Sequence, residues 1–362
     1  MLKSIQSMNR IEIQARSVLE QVLSRVPIVV IDNIRSDLPT SSRPVDLVAH
    51  VRADGTPYQL LCEILPNGQP RYVNNALLQI REHAAYGAPD AVPILIAPYF
   101  SPGTRALCQQ YQVGYLDIEG NAQIAFGGVF IERQMTERPV IERRELKSLF
   151  KPKAAQILRA MLRDPHRAWK VAELADVTGV SIGQVSNVRT ALINREWAAT
   201  TRDGIYLSRP DAVIDAWRDS YEAPAGERHA LYTTLHGAAL ENDARETLGM
   251  VNKEIPGAAA FASFSAANWI APYARSSIQY FYATQAGLGR LTAALKLKPV
   301  PRGENVVITL VKDEGLLADT IEPATGAICT SPVQTYLDLT LTGERGEEAA
   351  HHLREATMTW PQ

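Results

Sequence analysis

Residues 153 to 207 carry the pattern that most restricts how this chain can fold. Apolar side chains recur at helical spacing from Ala154 to Leu162, and a second short helix is predicted from Lys170 to Val177. A glycine follows in the turn, and Ser181 with Gln184 three positions later forms a capping box that predicts the start of a third helix. Two short strands are then predicted around a turn at Arg202. This order of elements predicts a winged helix-turn-helix.

The third helix is predicted to present two contrasting faces. Successive helical residues turn by ~100°, which places Val185, Val188 and Leu192 together on the core side. The opposite face is polar, which suits contacts with base edges in a major groove. It comprises Gly183, Ser186, Asn187, Thr190 and Asn194, flanked by Gln184 and Arg189. We therefore expect DNA contacts from Lys170, Ser181, Gln184, Ser186, Asn187, Arg189, Thr190 and Arg202.

The distribution of charge along the chain also favours DNA as the partner. Residues 147 to 209 contain eleven Lys and Arg against five Asp and Glu, a net of +6, whereas the whole chain carries −2. A basic segment in an acidic protein concentrates the field that attracts phosphates. The alternative is that the segment serves protein contacts or acts as a spacer.

Composition predicts an ordinary globular protein. The 362 residues are 46% hydrophobic and 21% charged, which is typical of two or three soluble domains. The sequence contains no long apolar run and no signal core at its start, so we expect a cytoplasmic protein without a membrane partner. Cys62, Cys108 and Cys329 lie far apart, and His351 with His352 lack a third ligand. We therefore expect no disulfide framework, no metal and no cofactor.

Composition shifts predict three domains, at 1–140, 147–222 and 227–362, in an α/β and α+β multidomain fold. The charged segment 136–147 is interpreted as a linker. The first domain is predicted to run helix, three strands, helix, strand, which is the core order of the restriction-endonuclease-like fold. The third is predicted as α+β, with a helix over 230–247, strands at 278–283 and 305–311, and a helical end after Val333.

Two acids of the first domain are predicted to lie side by side. If Asp54 and Gly55 form a two-residue hairpin loop, Asp46 and Glu63 become direct cross-strand partners. Nucleases of the PD-(D/E)xK superfamily hold Mg²⁺ with such a pair and place a lysine two positions after the second acid, but this chain has Leu65 there. We therefore interpret the pair as vestigial and the domain as inactive. Gln79 and Arg71 are considered as replacements for the lysine, and solvated acids without a shared site are the alternative.

The chain also resembles a known family. The run SPVQTYLDLTLTGERGEEAAHHLRE, the segments GQPRYVNNALLQI and VGYLDIEGNAQI and the helix-turn-helix resemble the AbiEi-type antitoxins of type IV toxin-antitoxin systems. The closer similarity is to the longer subgroup with an endonuclease-like domain in front. The resemblance implies an autorepressor that binds promoter repeats in double-stranded DNA. It also implies a C-terminal domain that counteracts a nucleotidyltransferase-like toxin without requiring a stable complex.

The sequence thus favours a DNA-binding regulator that is not an enzyme. The main alternative is a Mg²⁺-dependent nuclease targeted by its own winged helix, and the third is a non-catalytic interaction protein. The operator, the toxin and the oligomeric state, including a homodimer, remain open.

Overall fold

The computed structural model describes residues 2–38, 45–86, 91–135, 139–273 and 276–360. Contacts divide the chain into two compact units. The first comprises Met1–Arg144 with Leu192–Glu196, and the second comprises Glu145–Ala191 with Trp197–Gln362. The chain is a mixed α/β protein, as predicted.

The first unit is built on a seven-stranded mixed sheet whose strands are ordered as in the chain. The first three strands are antiparallel, the third to the fifth are parallel, and the last three are antiparallel. The strands are β1 (Val29–Leu38), β2 (Val45–Ala53), β3 (Thr56–Ile64), β4 (Ala91–Ala97), β5 (Gly114–Asp117), β6 (Ala122–Phe126) and β7 (Val129–Arg133). The helices are α1 (Leu2–Leu23), α2 (Pro70–Tyr86), α3 (Pro102–Gln110) and α4 (Val140–Leu149), of which α4 continues into the second unit.

Helices cover both faces of this sheet. Leu19 and Leu23 of α1 pack with Leu47 and Leu60 on one face. On the other face α2 and α3 share a core with β4 and β5 that contains Val73, Leu77, Leu95, Cys108 and Tyr115. Burial on both faces explains the nearly continuous apolar run of β4.

One strand prediction for the first unit was wrong. The sequence predicts one strand from Gln123 to Ile131. These residues instead form the hairpin of β6 and β7, because Gly127 and Gly128 adopt positive φ values of 52° and 77°. The segment interpreted as a linker contains helix α4 from Val140 onward, with an acid in its first turn and Lys147 in its last. Its residues 136–138 lie outside the described part of the chain.

We call residues 152–219 the helix-hairpin module, and all of it except Leu192–Glu196 belongs to the second unit. Its elements are α5 (Pro152–Arg163), α6 (Val171–Thr178), α7 (Ile182–Asn194), β8 (Ala198–Thr200), β9 (Ile205–Leu207) and α8 (Pro210–Asp219). The last residues of α7 cluster with the first unit. The three predicted helices and the hairpin are present in the predicted order. Trp169 bridges to Ile205, so the loop before α6 lies along the hairpin.

The rest of the second unit is a seven-stranded mixed sheet with helices, in the order β13-β10-β14-β12-β11-β16-β15. The strands are β10 (Gly226–Tyr232), β11 (Ala259–Phe261), β12 (Gln279–Ala283), β13 (Lys298–Pro299), β14 (Val306–Val311), β15 (Thr320–Ile321) and β16 (Cys329–Thr330). The helices are α9 (Gly237–Glu254), α10 (Ser263–Ile270), α11 (Gln285–Ala294), α12 (Pro332–Leu339) and α13 (Glu344–Thr357).

The prediction of one helix in this region was partly wrong. The stretch from Ala230 to Thr247 contains the end of β10, and α9 begins only at Gly237. Six residues of β10 pair with β14, so the first part of the predicted helix belongs to the sheet. The strands at 279–283 and 306–311 and the helices after Val333 agree with prediction. Among the described helices, none has the length and apolar character needed to cross a membrane.

Candidate nucleic-acid interface

The turn between α6 and α7 is set by two local devices. Gly179 ends α6 in the left-handed conformation, with φ of 64°. Ser181 Oγ then accepts a hydrogen bond from the Gln184 backbone amide at 3.4 Å, which is the predicted cap of α7. These devices fix where α7 begins, and therefore which side chains it turns outward.

The core side of α7 is held firmly. Val185, Val188 and Leu192 are buried, as the sequence predicts. Leu158 of α5 and Leu174 of α6 are buried as well. Burial of these side chains fixes the rotation of the helix about its axis, so its polar face has one orientation.

The outer side of α7 is polar and accessible. Asn187, Thr190 and Gly183 are exposed, and Ser186, Gln184, Arg189 and Asn194 are partly exposed. The Thr190 hydroxyl donates to the Ser186 carbonyl at 3.0 Å, so it faces outward chiefly as an acceptor. Among the described residues, the Asn187 side chain has no intramolecular hydrogen bond, which leaves its amide available for a base edge.

Arg202 lies at the tip of the β8–β9 hairpin and is exposed. The tip is closed by the Thr201 amide, which donates to the Gly204 carbonyl at 2.8 Å. Gly204 has φ of 145°, and a Cβ there would come within 2.2 Å of the Trp169 carbonyl oxygen. Glycine is therefore required for the hairpin to lie against the loop that leads to Lys170, the exposed residue preceding α6.

Two exposed apolar side chains near this surface were not predicted. Ile182, the first residue of α7, is 59% exposed, and Val177 of α6 is 62% exposed. A helical wheel would have found Ile182, because its position lies between the two faces, about 40° from Ser186 and about 60° from Val185. An exposed apolar side chain at the start of such a helix can contact a thymine methyl group.

The net charge of +6 overstates the basic field of the module. Arg159 and Arg163 both pair with Asp319, Lys147 pairs with Glu222, and Arg195 pairs with Glu142. These three acids lie outside residues 147–209, so counting charges within the segment misses them. The basic side chains left for a phosphate backbone are exposed or partly exposed: Lys151, Lys153, Lys170, Arg189, Arg202 and Arg209.

The hairpin predicted to bring Asp46 and Glu63 together is present in the first unit. Asp54 and Gly55 form the hairpin loop with φ of 46° and 80°, and Ala53 pairs with Thr56. The pairing continues in this register to Leu47 and Cys62, the neighbours of Asp46 and Glu63. Burial, and to a smaller extent the nearby Asp46 carboxylate, raise the pKa of Glu63 to about 7.

Asp46 also has a role in the fold that the sequence did not indicate. One of its carboxylate oxygens accepts a hydrogen bond from the Ile64 backbone amide at 2.6 Å. The backbone amide at the end of β3 thus has a charged acceptor, and hydrogen bonds to charged groups are among the stronger ones in proteins.

Leu65 occupies the position where the nuclease pattern has lysine, and it belongs to the core. It is 6% exposed and lies in the cluster that contains Val73 and Leu77 of α2. Arg71 and Gln79 are exposed residues of α2.

The remaining candidate metal ligands are three cysteines and two adjacent histidines. Within the described residues, no group of three or more His, Cys, Asp or Glu side chains could hold a metal ion. The three cysteines are free and buried. His351 lies beside Glu355, whereas His352 stacks on Tyr273 with ring centroids 5.1 Å apart.

No family model, curated protein or solved structure matches this chain. The resemblance to AbiEi-type antitoxins therefore stays a prediction from the sequence.

Proposed function

We propose that this protein is a DNA-binding transcriptional regulator that reads duplex DNA with the outer face of α7. The observation that carries the proposal is the contrast between the two faces of this helix. Val185, Val188 and Leu192 are locked in the core, while Asn187 and Thr190 are exposed. A polar helix face held in one orientation by its own core is what major-groove readout requires.

The surroundings of α7 support the same use. The exposed Arg202 at the hairpin tip and Lys170 before α6 supply cations for phosphate contacts, which position a reading helix without specifying sequence. Ile182 adds an apolar contact at the start of the helix. In this proposal residues 147–222 are a winged helix-turn-helix domain.

We further propose that the regulator is an antitoxin-like autorepressor acting in the cytoplasm. Support for this step comes from the sequence resemblance alone. In this reading residues 227–362 counteract a nucleotidyltransferase-like toxin, and the operator is a set of repeats in the protein's own promoter. The first domain is restriction-endonuclease-like and catalytically silent, because Leu65 has neither a proton to donate nor a positive charge.

A selection from random DNA tests the DNA-binding proposal. The purified full chain is incubated with a library of duplexes carrying a random core, and bound duplexes are amplified and sequenced over several rounds. We expect one motif to be enriched and to be present in the DNA upstream of the protein's own reading frame. Enrichment of no motif would contradict sequence-specific binding.

A rescue assay tests the antitoxin proposal separately. The double variant Asn187→Ala/Arg189→Ala is co-expressed with the cognate nucleotidyltransferase-like toxin that the proposal requires. We expect the variant to lose operator binding and still to protect the cells. Protection that disappears together with DNA binding would contradict a separate antitoxin domain.

A further inference from the structure

A cavity of about 510 Å³ lies within the second unit, at the N-terminal end of α5. Its walls come from α5 and from α8, and from the residues that follow β14. Lys151, Arg159, Trp217 and Lys312 are among its lining residues. The volume falls in the range of small-molecule sites in proteins, about 300–1,000 Å³.

One part of the cavity is apolar and aromatic. Phe150 and Trp217 both line it, and their rings stack with centroids 5.4 Å apart and planes 6° from parallel. Ala155 and Leu316 are buried residues that also line the cavity. This part suits the body of an aromatic or aliphatic molecule.

The charged side chains around the cavity are mostly cationic. Four cations line it, of which Arg159 is paired with Asp319, and the carboxylates of Glu222 and Asp313 line it as well. Lys147 is paired with Glu222 at 2.6 Å, while Lys151 and Lys312 are exposed. Lys151 is also the N-cap residue of α5, and it makes no side-chain capping bond. The positive end of the α5 dipole therefore lies beside Lys151 and adds to the positive potential there.

A second and independent feature points to an anionic ligand. Arg159 is 4% exposed, its Nη1 donates to Gln334 Oε1 at 3.2 Å, and its Nε lies 3.4 Å from Asp319 Oδ2. Its Nη2 is buried and has no hydrogen-bond partner in the part of the chain that the structure describes. A buried guanidinium N–H without an acceptor is costly, and a ligand oxygen would satisfy it.

We propose that this cavity binds a small organic anion. The acidic group, a carboxylate, sulfonate or phosphate, would lie near Arg159 and the start of α5, and the apolar body would lie against Phe150 and Trp217. The proposal does not depend on DNA binding, because it rests on the cavity and on its own charged and aromatic residues.

Fluorescence titration of the full chain tests this site with 8-anilinonaphthalene-1-sulfonate, an aromatic sulfonate whose emission rises in apolar surroundings. We expect saturable binding, and a weakening of about five- to tenfold in the double variant Lys151→Ala/Lys312→Ala, which removes two partly solvated charge contacts. The matched control is Lys253→Ala/Lys298→Ala, two exposed lysines that do not line the cavity, and it should bind as the wild type does.

A neutral probe and two competitors complete the design. N-phenyl-1-naphthylamine lacks the sulfonate and should bind at least about fivefold more weakly than the sulfonate probe. Displacement of the sulfonate probe by salicylate or by adenosine monophosphate distinguishes a carboxylate from a phosphate preference, and either result supports the site. Equal affinity of the neutral probe, or an equal loss in the control variant, would overturn the proposal.

Discussion

Arg159 of α5 and Asp319 form a largely buried ion pair, with Nε 3.4 Å from Oδ2 and side chains 4% and 15% exposed. Arg163 pairs with the same carboxylate. Gln156 of α5 also donates to Asp313 at 3.3 Å. Three residues of α5 thus bind acids that follow β14, which ties the helix-hairpin module to the C-terminal sheet region of the second unit.

Substitution of Asp319 should therefore destabilise the fold. Asp319→Asn leaves the buried Arg159 guanidinium without its charge partner, and we expect a loss of about 3 kcal/mol in the free energy of unfolding. Urea denaturation followed by circular dichroism measures it. Asp243→Asn, an exposed acid of α9, is the control and should change stability by less than about 0.5 kcal/mol. An equally small change in Asp319→Asn would contradict the account of this pair.

The raised pKa of Glu63 makes a second prediction, for the pH dependence of stability. Its carboxyl group titrates at about 7 in the folded protein, against an ordinary value of 4.5. The folded state therefore holds the proton over a range in which the unfolded chain has lost it, and stability falls as pH rises from about 4.5 to about 7.

Glu63→Gln removes this dependence. We expect the variant to be more stable than the wild type by about 1–2 kcal/mol at pH 8, a value reduced for partial solvent exposure, and to show no gain at pH 4. Glu20→Gln, an exposed acid of α1, should match the wild type at both pH values. A gain that is the same at pH 4 and pH 8 would mean that titration of Glu63 is not its cause.

The third prediction concerns phosphodiester cleavage. Because Leu65 lies in the core where the nuclease pattern needs a lysine, we expect no cleavage of plasmid, single-stranded DNA or RNA in Mg²⁺ or Mn²⁺. Gel electrophoresis of long incubations measures it, with Asp46→Asn and Glu63→Gln run alongside. Asp46→Asn keeps an acceptor for the Ile64 amide, so the variant should retain its fold. Cleavage by the wild type that both substitutions abolish would make the nuclease the better account.

Local signals were sufficient for much of the fold and for the shape of the candidate site. The Asp54-Gly55 turn fixed a hairpin register, and Ser181 marked the start of α7. Each depends on residues that are close in sequence.

Features that depend on distant residues could not be predicted in this way. Residues 226–232 form a strand because they pair with β14, about eighty positions later in the chain. The loss of free positive charge at Arg159 depends on Asp319, and sequence spacing gave no sign of it. The rise in the pKa of Glu63 comes mainly from burial, which a cross-strand register alone does not measure.

The fourth prediction separates phosphate contacts from base contacts. Arg202→Ala should weaken binding to all duplexes alike and reduce the slope of log affinity against log salt by about 1, since one phosphate contact is lost. Fluorescence anisotropy titrations from 50 to 200 mM salt measure the slope. Arg302→Ala, an exposed loop arginine of the C-terminal region, is the control and should leave the slope unchanged. A loss confined to the selected duplex would contradict the assignment of Arg202 to the backbone.

The measurement that tests the central claim most directly is the ratio of affinities for the selected duplex and a scrambled duplex of the same length, in Asn187→Ala. Loss of one base-edge contact should lower this discrimination by about 1–3 kcal/mol, with little change in affinity for the scrambled duplex. Asn242→Ala, an exposed asparagine of α9, is the matched control and should keep the discrimination of the wild type. Unchanged discrimination in Asn187→Ala, or the absence of duplex binding by the wild type at low salt, would contradict the claim that α7 reads DNA.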